Sequence, residues 1–314
     1  MTPRPAKADG PLRVVSLIPS ATEIVWALGL GERQVGRSHE CDHPVEVRDL
    51  PFCTEPKFSA DGTSYAVDER VRAVLQEGLS VYRVEAACLA GLEPDVILTQ
   101  DQCRVCAVEL EAIEAAVCEH LGAAVEVVSL GATTLDGVWE DHRRVARCLG
   151  VPERGDELVE ALRGRLRKVT RGAGEAGNRP SVAMIEWVEP LMAAGNWIPE
   201  LVERAGGRPL LGKGGAHSPR LEWDVLRRAD PEVIVVAPCG FGIDRTLEDL
   251  SALTTREGWE DLTAVRRGRV FVADGHHYFN RPGPRLVEST EILVEILQPG
   301  PDPAEHRGSG WIVV

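Results

Sequence analysis

The chain has 314 residues, 44% of them hydrophobic and 27% charged, a globular composition large enough for two hydrophobic cores. Asp and Glu outnumber Lys and Arg by 49 to 35, and the net charge of −14 excludes nucleic acid and anionic membrane surfaces as partners, because phosphate binding needs a clustered positive field. No stretch reaches the roughly 18 apolar residues of a membrane span, and the polar opening Met1–Gly10 lacks the apolar region of a secretory signal, so a cytoplasmic location with reduced cysteines is expected.

Short β-branched runs alternate with helical patterns, which predicts an α/β fold with parallel sheets. The expected strands are Arg13–Ile18, Asp95–Thr99 and Val125–Leu130, then Ser181–Glu186, Glu232–Ala237 and Arg269–Ala273. Most are apolar throughout, as strands covered on both faces are. Between the two groups, Leu158, Leu162, Leu166 and Val169 fall on one helical face after Pro152, predicting one long connecting helix. The chain therefore divides into an extended or disordered N-terminus (1–12), an N-terminal α/β lobe (13–150), the connecting helix (151–178), a C-terminal α/β lobe (179–298) and a tail packed on the surface (299–314). No internal repeat of 20–50 residues is visible.

Open α/β sheets bind ligands at the carboxyl ends of their strands, so the residues after each strand are the candidates. Ser20, Thr22 and Glu23 follow the first strand, and Ser20 with Glu23 has the spacing of a capping box. Next, Ser38–Pro44 carries His39, Glu40, Cys41, Asp42 and His43; if the segment is extended, His39, Cys41 and His43 point to one side. Gln102 and the Cys103-x-x-Cys106 pair follow the strand Asp95–Thr99. With Cys41 and Cys239 they compose a candidate four-thiolate site for zinc or an iron–sulfur cluster.

The second half adds aromatic and basic groups. Trp187 and Trp197 offer surfaces for stacking on a flat conjugated ligand, and Phe241 lies in the loop after the strand at 232–237. The loop Asp274–Arg285 carries His276, His277, Tyr278, Arg281 and Arg285, imidazoles beside guanidiniums able to grip a carboxylate or phosphate.

The segments Arg13–Glu23, Leu92–Leu98, Ala205–Gly207, Ala229–Val235 and Arg281–Arg285, in their order and spacing, resemble the ABC-importer substrate-binding proteins for cobalamin, haem and iron–siderophore complexes, most of all the cobalamin-binding subgroup. The resemblance spans residues 13 to 297. It implies a class III periplasmic-binding-protein-like fold, two α/β lobes joined by a rigid helix, with a corrinoid- or iron-complex-sized cleft. It also implies one docking glutamate per lobe for a membrane permease. Glu203 fits the second, but Ala87 stands at the first position with Glu85 two residues away, which puts the permease partner in doubt.

Two functions follow. One is binding of a cobalamin-like corrinoid or haem, with His39, His43, His276 or His277 as an axial imidazole. The other is a Cys-ligated zinc or iron–sulfur protein of redox or metal-transfer type. A catalytic role is not expected, since there is no nucleophile elbow, P-loop or complete dinucleotide fingerprint, and nothing marks out Asp101, Glu186 or Glu189.

Overall fold

A computed structural model describes residues 10–76, 81–100, 125–173, 179–298 and 304–314. It has the expected α/β architecture. Its contacts group into two units: residues 1–60, 70–131 and 139–159 in the first, and 61–69, 132–138 and 160–314 in the second.

In the first unit, β1 (Val14–Ser16), β2 (Gln34–Arg37), β5 (Val96–Gln100) and β6 (Glu126–Leu130) form a fully parallel sheet in the order β2-β1-β5-β6. Alternation along each strand loads both faces. Val14 and Leu98 join Ile24, Val25, Val145 and Leu149 on one side. Val15 and Ile97 join Leu17, Cys53 and Leu89 on the other. β2 carries Gln34, Gly36 and Arg37, so its sequence reads as a loop; parallel pairing to β1 makes it a strand. A separate antiparallel pair joins β3 (Thr54–Pro56) to β4 (Tyr82–Val84), followed by helix α3 (Ala86–Leu92).

Helix α1 (Pro19–Ala27) differs from the capping-box expectation. Pro19 occupies the start of the helix, where its missing N–H costs nothing, and the cap residue is Ile18 with no side-chain hydrogen bond. Ser20 is thereby the second residue of the helix and buried.

The second unit holds a six-stranded sheet. β7 (Ser181–Trp187), β10 (Val233–Val236) and β11 (Val270–Ala273) are adjacent and parallel, and β9 (Arg208–Leu210) is parallel to the start of β7. The short β8 (Met192–Ala193) runs antiparallel against the end of β7. Val233–Val236 and Val270–Ala273 are buried throughout, which explains why their apolar runs were legible as strands. The expected surface tail ends in β12 (Trp311–Val313), which pairs antiparallel with β11 and covers that edge. Trp311 is buried, its ring edge-on to Phe271 at 5.6 Å and its Nε1 donating to Glu295 Oε2 at 2.6 Å.

The helix expected after Val151 spans Pro152–Val169, 18 residues and about 27 Å at 1.5 Å per residue. Gly155, Val159, Leu162 and Leu166 are its buried positions, with Leu158 partly buried against the first unit's core.

Candidate ligand-binding face

In the second unit, three neighbouring parallel strands deliver their loops to one edge. β7 ends at Trp187, β10 leads into Pro238–Gly242, and β11 leads into Asp274–Phe279. The loops are tied by backbone hydrogen bonds: Cys239 N donates to Glu186 O at 3.1 Å, and His276 N donates to Phe241 O at 3.0 Å. Gly275 is required here by close approach, because a Cβ would stand 2.2 Å from the Pro238 carbonyl oxygen. Asn280 Nδ2 completes the junction, donating to Gly275 O at 2.8 Å and Ala237 O at 3.3 Å.

On this junction Trp187 is half-buried, whereas Phe241, expected at the ligand, is fully buried behind it. Trp187 meets Phe241 edge-on at 5.1 Å, and its Nε1 donates to Glu189 O at 3.0 Å. The Arg245 guanidinium lies 3.6 Å above the Phe241 ring centroid. Burial lowers its pKa from the usual arginine range. Arg245 was not singled out in the sequence; its place four residues after Phe241, at a helix start, is the local signal.

The imidazoles follow from Asp274, also unrecognised as a site residue. Its Oδ1 accepts the backbone N–H groups of His276 at 2.9 Å and His277 at 2.8 Å, and its Oδ2 lies 2.7 Å from His277 Nδ1. Burial alone would raise the Asp274 carboxyl, but the hydrogen bonds from His277 and the two imidazoles outweigh it and hold it below the usual range. An ionised carboxylate only accepts, so the His277 proton sits on Nδ1 and the ring's acceptor nitrogen is Nε2. His276 is arranged the other way. Its Nε2 lies 3.0 Å from Arg281 Nη2, and a guanidinium only donates, so that nitrogen is an acceptor already engaged.

The remaining expected residues separate from this group. Trp197 is buried at the start of the helix Ile198–Arg204, donating from Nε1 to Phe279 O at 3.0 Å. Arg281 is buried and turned to His276, while Arg285 lies 5.6 Å over the Tyr278 ring, whose other neighbour is His306 at 6.1 Å. The two guanidiniums thus have different partners, His276 for Arg281 and the Tyr278 ring for Arg285.

In the first unit, residues 38–44 are not extended. Cys41 N donates to Ser38 O at 3.1 Å and closes a turn, so the one-sided array of His39, Cys41 and His43 does not form. Cys41 is fully buried, Thr22 Oγ1 donates to its sulfur at 3.1 Å, and Gln34 Nε2 donates to Thr22 Oγ1 at 3.2 Å. His39 is half-buried with Nδ1 2.8 Å from Thr54 Oγ1, and burial lowers its pKa; His43 is exposed. Gln102, Cys103 and Cys106 lie outside the described residues. Cys239 is half-buried, and with Cys41 committed to the core these placements lend the zinc or iron–sulfur site no support.

Both units are α/β, each built on a sheet whose neighbouring central strands run parallel, and in the second unit the loops after three such strands meet at one edge. The chain belongs to the periplasmic binding protein family, whose model matches residues 14–276. It is 26% identical over 282 residues to a cobalamin-binding protein of Halobacterium salinarum, covering 88% of this chain and 67% of that one. It is 23% identical over 300 residues to YvrC of Bacillus subtilis, an uncharacterized ABC transporter substrate-binding lipoprotein, covering 92% and 81%. A periplasmic haem-binding protein from Pseudomonas aeruginosa shares the fold, with a TM-score of 0.69, 23% identity, and coverage of 94% and 95%. Among the described residues no helix is long and apolar enough to cross a membrane.

Proposed function

We propose that this protein binds a cobalamin-type corrinoid on the strand-end face of its second unit, by non-covalent binding rather than catalysis. The observation that carries the reading is the Asp274–His277 contact of 2.7 Å. A carboxylate behind Nδ1 fixes the tautomer that presents Nε2 and raises its basicity, the arrangement that supports a metal-bound imidazole. The half-buried Trp187 supplies apolar surface for the macrocycle, braced edge-on by the buried Phe241, and Arg245 brings positive charge beside it. The cobalamin-binding relative favours a corrinoid; the fold shared with a haem-binding protein makes iron porphyrin the competing ligand.

Glu203 is exposed on the helix Ile198–Arg204, whereas Ala87 occupies the other expected docking position, so the reading includes ligand binding and leaves permease docking out. A cytoplasmic location belongs to the same proposal, and cell fractionation tests it. For the ligand, purified protein is titrated with aquocobalamin and, separately, haemin, followed by visible absorbance. A cobalamin band shift with micromolar or tighter affinity, lost in His277→Ala, is the expected result. A response to haemin alone replaces the corrinoid by porphyrin, and silence with both overturns the reading.

A further inference from the structure

Outside the ligand-binding face, the first unit holds a second thiol arrangement. Cys53 Sγ and Cys88 Sγ lie 3.2 Å apart although 35 positions separate them in the chain. The Cys53 backbone is held in place, and Cys88 lies in helix α3. Cys53 N donates to Arg37 O at 2.8 Å, and Cys53 O accepts from Glu85 N at 2.8 Å, where β4 turns into α3. Thr54 is the antiparallel partner of Val84, so the strand entered after Cys53 and the helix bearing Cys88 leave the same β3–β4 pairing. Neither thiol is in a disulfide, and closing the gap to the roughly 2.05 Å of a sulfur–sulfur bond takes a movement of about 1 Å.

We infer that Cys53 and Cys88 are a redox pair that closes to an intramolecular disulfide when the protein meets a disulfide oxidant. Access sets the order of events. Cys53 is fully buried and Cys88 is partly exposed, so Cys88 reacts first. Its thiolate attacks one sulfur of a low-molecular-weight disulfide such as oxidised glutathione, forming a mixed disulfide and releasing one glutathione thiolate, which takes up the proton Cys88 lost. The Cys53 thiolate then attacks Cys88 Sγ and expels the second glutathione, which takes the Cys53 proton. Two protein thiols give up two electrons, one protein disulfide forms, and one glutathione disulfide becomes two thiols. Burial, then the hydrogen bond with Cys88, pushes the Cys53 thiol up, which makes the second step the slow one. The pair stays a dithiol in a reducing compartment and closes in an oxidising one, so its state in cells reports the protein's surroundings.

The test uses the full-length protein with oxidised glutathione at pH 7, 8 and 9, acid quench, alkylation and non-reducing peptide mapping. The expected product is a peptide pair linked through Cys53 and Cys88, formed roughly tenfold faster per pH unit, as the Cys53 thiolate fraction rises. Oxidation should also raise Tm by roughly 5–10 °C, because the cross-link closes a long loop. Cys88→Ser, at the partly exposed position, should abolish both effects while retaining the reduced protein's Tm. If both cysteines alkylate after treatment at pH 9, or Cys88 accumulates as a persistent glutathione adduct, the pair is ordinary core packing and the inference fails. A linked peptide joining either cysteine to a different partner overturns it equally.

Discussion

Asp274 grips His277 twice, accepting its backbone N–H at 2.8 Å with Oδ1 and standing 2.7 Å from its ring Nδ1 with Oδ2. One carboxylate therefore sets both the position of the ring and the nitrogen that bears its proton. Asp274→Asn keeps the shape and an acceptor oxygen but removes the charge. Outer-shell changes of this kind lower metal affinity about 10–100-fold. The expected result is a loss of that size for aquocobalamin or haemin, read from absorbance titrations, with far-ultraviolet circular dichroism unchanged. Unaltered affinity would show that the relay does not support a ligand.

The junction beneath this pair depends on Gly275. A Cβ there would sit 2.2 Å from the Pro238 carbonyl oxygen and 2.7 Å from the Ala237 carbonyl carbon, both backbone atoms that no rotamer change can move. Gly275→Ala should cost about 1–3 kcal/mol, the range for forced overpacking. Urea unfolding measures it. Ligand affinity should fall in the same variant, because the loops bearing Phe241 and His276 are forced apart.

How much of this was readable beforehand follows from the range of each interaction. The six expected strands were legible because apolar residues run along most of their length on both faces, a property of the local string. β2 and β12 were not: Gln34–Arg37 is polar-rich, and Trp311–Val313 follows a Pro-rich tail, so only pairing partners far away in the chain make them strands. The candidate site divides in the same way. His276 and His277 stand out by composition, whereas Asp274 matters only through the turn that folds it under His277, and the sequence does not show that Trp197 spends its indole N–H on the distant Phe279 carbonyl. The proposed thiol pair was hidden because nothing local connects Cys53 to Cys88.

The C-terminal strand carries a pH dependence. His306 Nε2 lies 3.1 Å from Glu291 Oε2, and the same glutamate receives Arg165 Nη2 at 2.6 Å. The hydrogen bond with Glu291 raises the His306 pKa against the opposing effect of burial. A raised histidine stabilises the folded state fully below its unfolded value near 6.5, and that contribution is lost as pH rises through the higher folded value. Amide exchange, corrected for its intrinsic pH dependence, should therefore show protection at Trp311–Val313 declining as pH rises above 6.5. His306→Gln should flatten that profile. A flat profile in the unaltered protein would remove His306 as the clasp on this strand.

Trp187 and Trp197 separate ligand-facing aromatics from structural ones. Trp197 is buried, and its Nε1 donates to the Phe279 carbonyl at 3.0 Å. Trp197→Phe removes that donor and leaves a buried acceptor without its partner, a loss of about 1–3 kcal/mol. It also shrinks the side chain, so the stability loss should lie in the upper part of that range. Ligand affinity should stay within about twofold, since the ring spends its polar edge inside the unit. Trp187 is only half-buried, packed against Phe241 at 5.1 Å and fixed by the Glu189 carbonyl at 3.0 Å. Trp187→Ala should lower affinity for the macrocycle by about fivefold or more, since a stacked aromatic contact is worth roughly 1 kcal/mol beyond the area it covers. Paired measurements of unfolding and ligand titration on both variants decide the assignment. If Trp197→Phe weakens the ligand more than Trp187→Ala does, the binding surface belongs on the helix Ile198–Arg204 and not at the ends of β7 and β10.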